Sequence, residues 1–224
     1  SVNWSAIRRQ GQIQFFDPYF LDSRWTFRFN AFSIDQQFQL DEFRRGGSVE
    51  VGRYVDNQDN ARVALQYTLE QVGVTTLDAY RAQLLGGDLF RNGLTSTLGV
   101  NFSLDRRNNR IRATKGTFFA ATANISGGIG LGNGKALSFL GGDFNFFELR
   151  GNFRWYQPLI KDTDKLVFKM NTTLGWVGST DGRVVPFIHR HRAGGIMSVR
   201  GYQWFSLGPT LRGLGSDDPS AADD

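Results

Sequence analysis

The chain has no cysteine, and only five prolines and two histidines occur among its 224 residues. Without cysteine there is no disulfide framework, no thiolate catalysis and no cysteine-ligated zinc or iron–sulfur centre. No run of about 18 apolar residues is present, which excludes a transmembrane helix. No signal-peptide pattern begins at Ser1, so we expect any export signal to have been removed or to lie outside this sequence. The net charge of +5 is spread along the chain, so nucleic acid is not expected as a partner.

Motifs for enzyme chemistry or a cofactor are also missing. Residues 127–136 are rich in glycine, but Ile129 and Ala136 break the phosphate-loop pattern, and a flexible loop is the better interpretation. No Gly-x-Ser-x-Gly elbow anchors a hydrolase triad. We therefore expect a protein that is not an enzyme and that needs no cofactor.

The two histidines lie close together, at His189 and His191. On a strand both would face the same side, and two imidazoles can hold a metal. A catalytic zinc site usually has three protein ligands, however, and the flanking Arg190 and Arg192 would repel a cation. A basic patch near lipid phosphates is the alternative interpretation, and no metal site is predicted.

What the chain does contain is alternation of polar and apolar side chains. From Leu94 to Arg107 the even positions, as far as Leu104, are mostly apolar and the odd positions are mostly polar or small, which predicts a long strand with two unlike faces. About eight strands of roughly 9–14 residues are predicted in this way, longer than those of most soluble sheets. The others lie at residues 25–31, 62–70, 147–155 and 165–176 and, more weakly, at 10–16, 49–55 and 119–125.

This alternation fits both a soluble barrel, with an apolar interior, and a membrane barrel, with an apolar exterior and a polar lumen. Three features favour the membrane barrel. The strands are long enough to cross the hydrocarbon layer. Aromatic residues, such as Trp25, Trp155 and Trp176, lie near strand ends, as they do at membrane interfaces. Short and long connections also alternate, as in outer-membrane barrels.

The connections divide into two sets. Short turns are predicted at residues 17–22, 56–60, 106–116 and 161–165, and long ones at residues 78–93, at 127–142 and after residue 177. Two segments stand out among them. The first is the strand-end turn Asp17-Pro18-Tyr19-Phe20, in which proline fixes its own φ and keeps Asp17 extended. The second is Val199-Arg200-Gly201-Tyr202, in the connection after the last strand.

In these two segments, and in the turn at residues 105–116, the chain resembles the Omp85 superfamily. Val199-Arg200-Gly201-Tyr202 is similar to that family's Val-Arg-Gly-Phe/Tyr motif on the sixth extracellular loop, and the first segment is similar to its Pro-Tyr-Phe turn. Ala113 stands where the family's turn usually has proline. The resemblance implies an all-β, antiparallel transmembrane barrel of sixteen strands, of which residues 1–183 form part. Residues 184–224 would be the sixth loop, folded into the lumen.

The resemblance also implies a function in folding and inserting β-barrel proteins into the bacterial outer membrane. Implied partners are unfolded outer-membrane protein clients, accessory lipoproteins and lipids, including lipopolysaccharide. Arg200 would meet acidic residues on strands that this sequence lacks, and the periplasmic POTRA domains are absent too, so we expect a fragment. A two-partner secretion transporter of the same superfamily, a passive porin and a soluble ligand-binding barrel remain as alternatives.

Overall fold

The computed structural model describes residues 2–4, 8–37, 41–74, 89–132, 135–160, 166–191, 193–194, 199–202 and 207. Within these residues the fold is all-β, and the predicted antiparallel architecture is confirmed. No helix in them is long and apolar enough to cross a membrane. The strands are β1 (Val2–Trp4), β2 (Arg8–Phe20), β3 (Trp25–Gln37), β4 (Asp41–Tyr54), β5 (Ala61–Val74), β6 (Gly93–Asp105), β7 (Gly116–Ser126), β8 (Gly128–Gly132), β9 (Lys135–Ser138), β10 (Phe146–Pro158) and β11 (Val167–Ser179).

Nine of these strands form one sheet in the order β1-β2-β3-β4-β5-β6-β7-β10-β11. Every pairing is antiparallel, and each strand pairs with its neighbours along the chain with one exception. β7 pairs with β10, and the intervening β8 and β9 form a separate hairpin. The sheet of the described residues is open, with β1 and β11 as its edges. This is the arrangement expected for the wall of a larger barrel.

The two faces of the sheet differ in chemistry because side chains alternate along each strand. Large apolar side chains such as Ile13, Leu65 and Leu149 are exposed on the outer face. The inner face buries polar groups, including Thr26, Glu70 and others on neighbouring strands. An apolar outside around a polar inside is the arrangement of a membrane barrel, which confirms the orientation predicted from the alternation.

The first predicted turn, at residues 17–22, is displaced in the structure. Asp17, Pro18, Tyr19 and Phe20 belong to the end of β2, and residues 21–24 form the turn instead. Pairing with β3 is irregular between Asp17 and Phe20. Pro18 has no N–H to donate, and the Asp17 carboxylate accepts a 3.0 Å hydrogen bond from the Tyr19 amide, so the strand bulges without ending.

The prediction of a flexible loop at residues 127–136, within the long connection 127–142, was wrong in part. Gly128–Gly132 and Lys135–Ser138 pair as the β8–β9 hairpin. The glycine-rich sequence hid this hairpin because glycine gives no alternation of polar and apolar side chains.

Candidate functional site

The chain segment after β11 runs across one end of the inner face, where the long connections lie. Thr180, just after β11, makes the first hydrogen bonds between the segment and these connections. Its amide donates to the Asn145 carbonyl at 3.2 Å and its hydroxyl to the Gly128 carbonyl at 2.7 Å. Further on, the Phe187 amide donates to the Leu89 carbonyl at 2.9 Å. These bonds tie the segment to both the β7–β10 and the β5–β6 connections.

Apolar contacts hold the same segment in place. Val72, Phe144 and Phe146 form a small buried cluster, against which Val185 and Ile188 pack. This cluster is the hydrophobic core of the described wall, and it lies under the segment rather than in the middle of the barrel. The loss of these contacts on truncation would expose apolar surface to the lumen.

The ring of His189 packs against Phe146, with 4.6 Å between ring centroids, and its Nε2 lies 3.3 Å from the Thr95 hydroxyl. Burial, together with the charge of Arg44, lowers the pKa of His189 to about 3. The imidazole is therefore neutral at physiological pH. Its burial against the inner face does not require the desolvation of a charge.

His191 lies farther along the wall. Its Nε2 is 3.9 Å from the Glu148 carboxylate, and its ring occupies the space that a side chain at Gly175 would fill. Glycine at this inner-face position of β11 thus makes room for the imidazole. Within the described residues no group of three or more His, Cys, Asp or Glu side chains could hold a metal.

Replacing Gly175 with leucine is expected to push His191 off the wall and to loosen the segment. We expect severalfold faster trypsin cleavage after Arg190, which is exposed, in the folded full-length protein. Gly151→Leu is the matched control, because a Cβ there meets nothing and would face outward on β10. Equal cleavage rates in the two variants would contradict the contact.

Beneath this segment, paired charges cross the inner face. Arg44 of β4 binds the buried Glu70 of β5 through both nitrogens of its fork, at 2.8–3.1 Å. Arg62 donates to Glu50 at 2.7 Å and also to the Thr26 hydroxyl, so one guanidinium joins three strands. Arg44 and Glu70 line a polar hollow of about 250 Å³ that lies between the wall and His189.

The network continues toward β10. The Asn101 amide donates to Glu50 and to Gln66, both at 3.0 Å, and its carbonyl accepts a hydrogen bond from Thr122. The four groups in these three bonds lie on the polar faces of strands that the alternation predicts. The sequence did not indicate, however, which cation pairs with which carboxylate, because that depends on the register between strands.

Val199-Arg200-Gly201-Tyr202 forms an exposed turn in the structure, in which Gly201 has a φ of +92°. A left-handed backbone of this kind favours glycine. Among the described residues, Arg200 has no carboxylate within ion-pair distance. The position of the motif relative to an acidic partner therefore stays a prediction, and the flanking residues 195–198 and 203–206 lie outside the described residues.

A model of the Omp85 superfamily domain matches residues 1–223 of the chain. Among solved structures, the chain is similar to the crystal structure of BamA from Haemophilus ducreyi lacking POTRA domains 1-3, with a TM-score of 0.70 and 20% sequence identity. The match covers 91% of this chain and 39% of that chain, so this chain spans about two fifths of the relative's length. At that identity the likeness shows the barrel fold. Since the family model covers nearly every residue, the chain belongs to the Omp85 superfamily.

Proposed function

We propose that this chain is the barrel wall of a factor that folds and inserts β-barrel proteins into the bacterial outer membrane, as an assembly factor of the BamA type would. The observation that carries the proposal is the match of the Omp85 family over residues 1–223, together with a segment after β11 bound to a polar inner wall. The role is structural and not enzymatic.

The mechanism follows from the cost of unpaired backbone groups in lipid. An inserting strand must satisfy every N–H and C=O internally, so it gains by pairing with an edge that an assembly factor presents. We propose that such an edge lies elsewhere in the full barrel, while this wall and its inner segment keep the barrel stiff. Unfolded barrel proteins, accessory lipoproteins and lipopolysaccharide-containing membrane are the proposed partners.

Arg200 provides the test. In a confined lumen its guanidinium needs carboxylate partners, and removing one member of a buried pair typically costs about 3–5 kcal/mol. We therefore expect Arg200→Ala in the full-length protein to slow the assembly of a client barrel in proteoliposomes severalfold and to lower the temperature at which the folded barrel unfolds on a gel.

Arg183→Ala is the control, because Arg183 lies in the same connection and is mostly exposed. Normal client assembly together with unchanged heat stability in Arg200→Ala would contradict the proposal. A large single-channel conductance and a specific exported client would instead indicate a secretion transporter of the same superfamily.

A further inference from the structure

The connection between β6 and β7 is the most basic of the short turns. Residues 105–115 carry five cationic side chains and one carboxylate, Asp105. The Arg107 guanidinium donates two hydrogen bonds, of 2.8 and 2.7 Å, to the Asp105 carboxylate. It also stacks over the Phe118 ring on the inner face. Within the described part of the chain, Arg106, Arg112 and Lys115 have no carboxylate partner, and all three are exposed.

This turn is held in one shape by two asparagines. The Asn108 side chain accepts hydrogen bonds from the amides of Thr114 and Lys115 at 3.1 Å, and the Asn109 side chain accepts from Ile111 and Arg112 at 2.8 and 2.9 Å. Ala113 and Thr114 are buried inside the turn. The cations are therefore presented by an ordered backbone that loses little conformational freedom on binding.

At the tip of the turn, the side chain of Ile111 is 99% exposed. An isoleucine in that position among arginines has an unfavourable contact with water, and nothing in the described residues covers it. An apolar tip surrounded by cations is the combination that enters the boundary between lipid headgroups and acyl chains.

The turn lies at the height where that boundary is expected. β6 and β7 span 13 and 11 residues, enough to cross an apolar band of about 25 Å when tilted, so the turn emerges at its edge. Exposed apolar side chains continue around the same end of the sheet, at Trp25, Trp155 and Leu159. The short turns of outer-membrane barrels face the periplasm.

We propose that the turn at residues 106–115 binds anionic phospholipid headgroups of the periplasmic leaflet, with Ile111 inserted beside them. Arg106, Arg112 and Lys115 contact the phosphates, and Arg110, which also donates to the Asp59 carbonyl at 3.1 Å, fixes the turn to its neighbour. The exposed apolar side chains at this end of the sheet, together with the exposed isoleucine, favour a lipid surface over a protein partner. The inference rests on the membrane barrel and not on the assembly role.

The test compares the full-length parent protein with three double variants and one single variant, each incubated with equal amounts of phosphatidylglycerol and phosphatidylcholine. The number of each lipid retained is counted by native mass spectrometry. We expect the parent protein to retain about fivefold more phosphatidylglycerol than phosphatidylcholine, or a larger excess. Each Lys or Arg near an anionic surface strengthens binding by a factor of about five. Arg106→Gln with Arg112→Gln should lose most of this preference, whereas Arg106→Lys with Arg112→Lys should keep it.

Arg183→Gln with Arg190→Gln removes the same charge at the opposite end of the sheet and should leave the preference unchanged. Ile111→Asn should weaken the retention of both lipids at this turn without folding defects, because its side chain contacts nothing. Equal retention of phosphatidylglycerol by the parent and by the Arg106/Arg112 glutamine variant would overturn the proposal. Crosslinks from Lys115 to a protein segment, together with no preference between the two lipids, would overturn it as well.

Discussion

Arg62→Ala is expected to lower the free energy of unfolding of the barrel by at least about 2 kcal/mol. Glu50 is 6% exposed and Arg62 15% exposed, so the variant leaves a carboxylate and the Thr26 hydroxyl buried without their main partner. Breaking a buried pair in this way typically costs about 3–5 kcal/mol. Arg28, at 3.5 Å from Glu50, offsets part of that loss. Urea unfolding of the full-length protein in vesicles measures the change.

The control for Arg62 is another arginine–carboxylate pair of the same sheet. Arg45 lies 3.3 Å from Asp35 on the outer face, toward the strand ends where the headgroup region is expected, and the two side chains are 59% and 44% exposed. Exposed pairs contribute little. We expect Arg45→Ala to change the free energy of unfolding by less than about 0.5 kcal/mol. If the two variants had equal effects, the inner face would be as well solvated as the surface.

Val49→Arg is expected to destabilise the barrel by about 2–4 kcal/mol in a bilayer. Val49 lies near the middle of β4, on the exposed outer face between Phe29 and Tyr67. An arginine there would lie deep in the hydrocarbon layer, far from either headgroup region. The measurement is urea unfolding of the parent and the variant in vesicles of the same lipid.

The adjacent residue gives a matched control for Val49. Ser48 faces the opposite way and lines the polar hollow of the inner face. We expect Ser48→Arg to cost less than about 1 kcal/mol, because its side chain reaches water and the carboxylate of Glu50 or Glu70. A larger cost for Ser48→Arg than for Val49→Arg would reverse the assignment of the two faces.

Strands with regular alternation could be predicted from the sequence. The prediction for β6 began at Leu94 and ended at Arg107, close to the observed Gly93–Asp105. The first half of β4 was missed because Gly46 and Gly47 interrupt the pattern. The structure explains the first of these glycines: a Cβ at position 46 would run into the backbone of Leu69 and Glu70 on β5. Such a close approach depends on the neighbouring strand and has no signature in a single sequence.

The candidate site was harder to predict than the fold. The sequence singled out Arg200 and its neighbours through a family resemblance, whereas the contacts seen in the structure belong to Thr180, His189 and His191. For His189 and His191 the sequence offers a metal site, which it disfavours, or a basic patch near lipid phosphates, and neither interpretation predicts that the two rings pack against the inner wall. Their packing depends on Phe146 and Gly175, which are distant in sequence and become neighbours only once the strands are in register.

The pairing of each strand with its neighbours along the chain bears on how the wall can form. Joining β2 to β3, or β4 to β5, closes only a few residues of chain, so the entropy lost in each step is small. The wall can therefore lengthen one hairpin at a time, and no strand has to thread past another. At every stage of such growth, only the first and last strands have unpaired backbone N–H and C=O groups. Few of these groups are therefore left without a hydrogen-bond partner in lipid while the wall forms.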